Sequence, residues 1–211
     1  MNDKEIMSSI EKPMQLTIET WYPDSVLICN LENQKELLSS YIEKSYEIRE
    51  SSPIKTTWNC NTYNSLDSYD MIKDSLFFPL FNEITYWVNT FAEKHYNVET
   101  PSAKCSSSWI NIAPPMAFQE YHIHPNSHFS VVFYVKTPNE CGNIIFRSHS
   151  ADFDMFPLPR VNVLHQYNGK TFRYKAEECK MLIFRSNLSH MVNYNNSDDD
   201  RISISMNFIV E

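Results

Sequence analysis

Glycine is almost missing from this chain, with two residues in 211 against an average usage of roughly 7%. A backbone that must approach a phosphate closely needs glycine, and neither a Gly-rich nucleotide cradle nor a nucleophile elbow can be found. Asn, with 20 copies, is expected to take over many turn positions, because it tolerates left-handed backbone better than other side-chain-bearing residues. Long apolar runs are lacking too. None approaches the roughly 20 residues that a bilayer-spanning helix requires, so a membrane is not expected as a partner. Positive charge is in deficit: 18 Lys and Arg stand against 26 Asp and Glu, for a net charge of −8 and a pI near 5.4. Nucleic-acid binders carry a basic stripe, and nucleic acid is therefore excluded as a partner. Cys29, Cys60, Cys105, Cys141 and Cys179 are odd in number, scattered and never spaced CxxC. That pattern predicts reduced thiols in a cytoplasm-like compartment, rather than a disulfide frame or a zinc knot. The opening Met1-Asn2-Asp3-Lys4-Glu5 has no signal-peptide character. A cytoplasmic location is expected, that of a host cell if the chain is virus-encoded.

Against these absences stands a group of histidines with an arginine behind them. Tyr121-His122-Ile123-His124-Pro125 holds a His-x-His pair, Ser189-His190 a third imidazole, and Arg201-Ile202-Ser203 the arginine. Alternate side chains of an extended strand share a face, so His122 and His124 point the same way, within reach of one metal ion. His190 lies on a separate predicted strand that a sandwich or barrel can bring to the same point. Three histidines form a facial cap with open metal positions, as catalytic metal sites require. Arg201 opens an alternating segment and has the fork geometry to clamp a carboxylate on a metal-bound cosubstrate.

The rest of the pattern supplies a scaffold. Residues 1–14 show no regular period. Gln15–Thr20 and Ser25–Cys29 read as short strands, and Leu31–Glu50 as a helix with Leu38, Tyr41, Ile42 and Ile48 on one side. Ser51–Ser75 is a polar, turn-rich connection. Its Trp58 reads either as a cover for a substrate opening or as an ordinary packed aromatic. A second helix starts near Phe78-Pro79, with Leu80, Ile84, Trp87, Val88 and Phe91 as its buried stripe, and fades by Tyr96. From Ser106 onward the chain reads as strands: Ser107–Ile112, Phe118–His124, His128–Lys136, Asn143–Arg147, Val161–Tyr167, Lys170–Tyr174, Lys180–Arg185, Ser189–Tyr194 and Arg201–Val210. Asn168-Gly169 is the strongest short hairpin signal. In the last strand Arg201, Ser203, Ser205 and Asn207 fall on one face, and Ile202, Ile204, Met206, Phe208 and Val210 on the other. The expected fold is mainly β with N-terminal helices, a jelly roll. It forms one domain over residues 1–211, with 1–104 as helical and strand support and 105–211 as the core.

Five segments resemble a known family. Ser108-Trp109-Ile110-Asn111, His122-Ile123-His124-Pro125-Asn126-Ser127, Ser130-Val131-Val132-Phe133-Tyr134-Val135, Leu182 through His190, and Arg201 through Asn207 are similar, in order, to a branch of the 2-oxoglutarate/Fe(II)-dependent oxygenases. This branch is common in marine bacteria and their tailed phages. The resemblance implies a double-stranded β-helix, cupin-like in shape, with Fe(II) held by His122, His124 and His190. It implies 2-oxoglutarate as cosubstrate, its distal carboxylate on Arg201 and Ser203, with Asn111, Tyr134 and Asn207 as further hydrogen-bond partners. The implied reaction hydroxylates a protein side chain or a small molecule and releases succinate and CO2. Most of the superfamily uses His-x-Asp/Glu; His-x-His removes one negative charge from the site, and the iron then leans more on the cosubstrate's carboxylates. Val131 stands where the branch usually has glycine, which changes packing beside the site and leaves the ligand set untouched.

Competing readings stay open on the residues alone. His128 faces the site if the turn at Pro125-Asn126 preserves the strand phase. His95, His149 and His165 read as structural or exposed. Arg201 has as its alternative a surface ion pair with Asp198-Asp199-Asp200, itself read as a solvated turn. A cupin-type metal enzyme independent of 2-oxoglutarate would use the same histidines, but leaves Arg201 without a role and lacks the expected glutamate and glycines. A non-enzymatic jelly-roll binding protein is the third reading. Exposed sheet edges make a homodimer a reasonable expectation.

Overall fold

A computed structural model describes residues 24–52, 60–149, 165 and 168–211. Ten strands are formed: β1 (Val26–Asn30), β2 (Tyr63–Asn64), β3 (Ala103–Ala113), β4 (Gln119–His122), β5 (Phe129–Lys136), β6 (Ile144–Arg147), β7 (Thr171–Tyr174), β8 (Lys180–Arg185), β9 (His190–Val192) and β10 (Arg201–Val210). Two α-helices precede most of them, α1 (Leu38–Ser51) and α2 (Phe78–Tyr96). The strands make a six-stranded sheet ordered β1-β8-β5-β10-β3-β2 and a four-stranded sheet ordered β4-β9-β6-β7. The strand pairs are antiparallel. This is the double-stranded β-helix, or jelly roll, with helices packed on its larger sheet.

The period-2 alternation of the strands sorts the interior into two cores. Ile110 and Ile112 of β3, Phe129, Val131 and Phe133 of β5, and Ile202, Ile204, Met206 and Phe208 of β10 meet Tyr41 and Ile48 of α1 and Leu80, Ile84, Val88 and Phe91 of α2. A smaller cluster lies between the sheets, where Val132, Leu182 and Phe184 of the large sheet meet Ile144 and Phe146 of the small one. Helix α2 forms where its pattern predicts. Pro79 sits in its first turn, the apolar stripe recurs each turn, and Asn97 ends it in the left-handed region at φ 54°. Trp87 on that stripe is half-buried and packs against the core rim.

Several local expectations are corrected. The helix predicted over Leu31–Glu50 opens as a 3₁₀ segment, Glu32–Leu37, with no side-chain cap on Leu31. Gln34 turns inward there, donating to Glu83 and accepting from the Tyr41 hydroxyl. The connection Ser51–Ser75 contributes β2, which pairs with Ile112 and Asn111. Asn does not monopolise left-handed backbone: Asn97 and Asn126 adopt it, but so do Thr100, Met116, Glu140 and Cys179. Asn168 and Gly169 do turn back, both amides donating to the His165 carbonyl. Gln15–Thr20, Trp58 and most of Val161–Tyr167 lie outside the described residues. No helix among the described residues is long and apolar enough to cross a membrane.

Candidate metal and keto-acid site

His122 ends β4 and His190 opens β9, and the two are direct cross-strand partners. His124 is not in the strand. β4 stops at His122, and His124 follows in an extended segment tied by its amide to the Ser186 carbonyl (2.8 Å). The pair nonetheless converges, with Ile123 between them turned outward and 49% exposed. Candidate ligand atoms of His122, His124 and His190 lie within 4.8 Å of one another. The ring centroids of His122 and His190 are 4.2 Å apart, and the Nε2 atoms of His124 and His190 are 3.2 Å apart.

Hydrogen bonding settles two of the tautomers. Nδ1 of His122 lies 2.7 Å from the Glu120 carbonyl and Nδ1 of His190 lies 2.9 Å from the Leu188 carbonyl. A carbonyl only accepts, so both Nδ1–H groups donate and both Nε2 atoms keep a lone pair in the neutral ring. Burial holds the rings neutral. It pushes His190 well below its ordinary pKa, with the neighbouring His122 adding to the effect. It lowers His124 to about 4, again with help from His122, and lowers His122 against the pull of its carbonyl bond. Neutral imidazoles this close fit a shared cation: two nitrogens bound at right angles, each about 2.1 Å from a metal, lie roughly 3 Å apart. His128 is not part of the group. It is exposed, and its Nδ1 accepts from the Val210 amide.

The facing surface belongs to the large sheet, and its register stacks polar residues in rows. Ser203 of β10 pairs with Asn111 of β3 on one side and Tyr134 of β5 on the other. Ser205 sits between Trp109 and Val132, and Asn207 between Ser107 and Ser130. A shift in the β5–β10 register between Ile202 and Ser203 marks a bulge beside the first row. Arg201 lies one step beyond, opposite Ala113.

Arg201 is 4% exposed. One nitrogen, Nη1, reaches the Cys141 carbonyl at 3.4 Å, while Nε has no partner among the described residues. No carboxylate pairs with it among the described residues. Two of the three aspartates just before it are engaged elsewhere: Asp199 pairs with Lys136 and Asp200 with Arg49. A fully buried Asn195 turns the chain there, its Nδ2 donating to the Ala113 and Asp199 carbonyls. That turn delivers Arg201 to the interior. Gly142, next in the chain to the Cys141 that Arg201 reaches, has φ +91°, where an added Cβ would lie 2.3 Å from the Asn193 carbonyl oxygen. Burial pushes the Tyr134 phenol up, partly offset by the Arg201 charge, so its hydroxyl stays protonated and can donate. A buried, unneutralised guanidinium is costly unless an anion arrives, and a carboxylate is the natural complement.

The histidines and the polar rows line one narrow cavity, about 40 Å³. It brings together His122, His124, His190, Asn111, Tyr134, Arg201 and Ser203. Asn207 is not among its walls. Its Oδ1 accepts from Ser130 and its Nδ2 donates to Ser107, which spends both ends of the amide on the closed end of the sheet. Gln119 and Ser205 line the cavity without having been singled out in the sequence. For Ser205 the signal was present in the alternation of β10; Gln119 has none, since its place depends on the irregular pairing of β4.

Residues 107–207 match the family model described as "Putative 2OG-Fe(II) oxygenase". This segment, just under half of the chain, matches the 2-oxoglutarate- and Fe(II)-dependent oxygenases and spans every candidate residue of the site. Solved structures share the fold at low identity. A prolyl-4-hydroxylase from Pseudomonas putida is 12% identical, with 88% of this chain and 92% of that one covered and a TM-score of 0.59. The α-ketoglutarate-dependent epimerase SnoN from nogalamycin biosynthesis is 10% identical, with 89% and 77% covered and a TM-score of 0.61. HygX from Streptomyces hygroscopicus, crystallised with nickel and 2-oxoglutarate, is 8% identical, with 88% and 83% covered and a TM-score of 0.58. No curated protein matches the chain.

Proposed function

We propose that this chain is a 2-oxoglutarate- and Fe(II)-dependent oxygenase that hydroxylates a C–H bond of a protein side chain or a small molecule, with its iron on His122, His124 and His190 and its keto acid on Arg201. The observation that carries the reading is Arg201, a buried guanidinium without a carboxylate, lining the same cavity as three neutral imidazoles. When bound, Fe(II) and 2-oxoglutarate would activate O2 as the oxidant, one oxygen atom going to the substrate C–H and the other into succinate as CO2 is released. The chain's own share is positioning and charge. The Glu120 and Leu188 carbonyls hold two imidazoles with Nε2 inward. Arg201 neutralises the distal carboxylate, the Ser203 and Tyr134 hydroxyls donate to it, and Asn111, held by Asn64 and Ser205, keeps the floor rigid.

Fe(II) followed by 2-oxoglutarate, added without oxygen, is expected to give the weak visible charge-transfer band of the chelate. The band is lost in His190→Ala and in Arg201→Ala. Iron binding by the native chain with no band would favour the cupin-type enzyme instead. No iron binding would favour a binding protein built on the same scaffold.

A further inference from the structure

His124 differs from its two companions in how it is held. His122 and His190 each sit on a strand and donate Nδ1–H to the carbonyl two residues before. His124 lies beyond the end of β4, and among the described residues its ring has no carbonyl partner; its one hydrogen-bond contact is the Nε2 of His190. What its ring does meet is an indole. Trp109, on β3 of the opposite sheet, stacks on His124 with centroids 5.4 Å apart and planes 20° apart. His124 and His190 are in turn parallel within 2°, with their Nε2 atoms 3.2 Å apart, so these two rings meet at their edges while the indole lies against His124. Trp109 is 6% exposed. Its Nε1–H is buried with no partner among the described residues, although the side chain lines the cavity.

We propose that Trp109 is a positioning and cosubstrate-binding residue: its ring orients the His124 imidazole for the metal, and its N–H donates to a metal-end oxygen of 2-oxoglutarate. The inference rests on the metal-site reading above. An imidazole on a loop is free to rotate about its last torsion unless something fixes it. Packing against a flat ring removes that freedom, as a carbonyl does for the other two. The N–H belongs to the same argument. A buried donor without an acceptor costs free energy, and in a cavity that takes a dianion the missing acceptor is a ligand oxygen. Trp109 pairs in register with Ser205, one row nearer the histidines than the Asn111–Ser203–Tyr134 row beside Arg201. An oxygen at the metal end is therefore nearer to it than the distal carboxylate.

Two substitutions separate the ring from its N–H. Mn(II) affinity of the full chain, and then 2-oxoglutarate affinity of the Mn(II)-loaded chain, are measured by calorimetry, with melting curves of the metal-free forms as the folding control. Partners that orient a metal ligand typically contribute 10–100-fold in metal affinity. Trp109→Leu is therefore expected to weaken Mn(II) at least tenfold. Trp109→Phe keeps a flat ring and is expected to bind Mn(II) within about threefold of the native chain. It lacks the donor and is expected to lose roughly tenfold in 2-oxoglutarate affinity. Native Mn(II) affinity in a folded Trp109→Leu overturns the positioning role, as does an equal loss in both variants. Native 2-oxoglutarate affinity in Trp109→Phe overturns the N–H contact. Absence of Mn(II) binding by the native chain would overturn the metal-site reading and this role with it.

Discussion

On β10 the side chains of Ile202, Ile204, Met206 and Phe208 turn to the helices, and those of Arg201, Ser203, Ser205 and Asn207 turn to the small sheet. The apolar row finds its partners inside the chain and is fully buried. The polar row is satisfied at one end only. Asn207 is bonded at both ends of its amide, whereas Arg201 keeps an unpaired Nε and meets a single carbonyl at 3.4 Å. One face of the strand holds the fold together. The other carries a polarity gradient that ends in an unmet demand for an anion, and that end is where the cosubstrate belongs.

The contrast is sharpest where a core residue is cut away. Phe208→Ala removes a fully buried ring from the helix-facing row and should cost about 3–5 kcal/mol of stability in denaturant unfolding. Loaded at a temperature where it is still folded, the variant should bind 2-oxoglutarate as the native protein does. A loss under about 1 kcal/mol would mean that this face is not the structural one.

Arg201→Met tests the other face with the opposite sign. Removing a buried, uncompensated charge should leave the metal-free protein as stable as before or more so. The affinity for 2-oxoglutarate should fall roughly 100-fold, about 3 kcal/mol, because a desolvated charge partner is lost. Melting curves and calorimetry on the same sample read both. A variant that unfolds while keeping its keto-acid affinity would invert the comparison.

The same two faces explain what could be read in the sequence. The alternation in Arg201–Val210 is complete, so strand, faces and core side were all legible, and the observed bounds coincide with the predicted ones. The stripe of α2 was equally plain. His-x-His was legible as a shared face, yet the strand was expected to run through His124, and it stops at His122. Pro125 and the left-handed Asn126 begin a turn there, and tertiary bonds from Ser186, rather than sheet pairing, keep the phase. For Asn207, period alone assigns a face and not a depth along it. The Trp109–His124 stack was out of reach, because it joins two sheets through a register that no local pattern encodes.

Acid should act mainly on the histidine end of the cavity. Burial lowers His190 and His124, the latter to about 4, so the folded rings stay neutral while the unfolded chain takes up protons below roughly pH 6.5. Stability from this source is complete above that pH and is lost as pH falls from about 6.5 toward 4. Metal-free protein should therefore melt at lower temperature at pH 5 than at pH 7.5. Bound Mn(II) competes with those protons and should move the loss to lower pH. His124→Asn should flatten the metal-free profile; an unchanged slope would remove the buried imidazoles as its cause.

Ser203→Ala asks for the smallest response and draws the finest line between the faces. Its hydroxyl lies on the row between Asn111 and Tyr134, one step along the strand from Arg201. If it donates to the distal carboxylate, the loss is one hydrogen bond to a charged acceptor, about 1.5 kcal/mol or roughly tenfold in 2-oxoglutarate affinity. Stability should shift by less than about 0.5 kcal/mol, since no internal partner is left unpaired. Ser205 offers the control: its hydroxyl accepts from Asn111, so Ser205→Ala leaves that amide one bond short and should cost stability as well as affinity. Equal profiles for the two alanine variants would show that Ser203 serves the sheet and not the ligand.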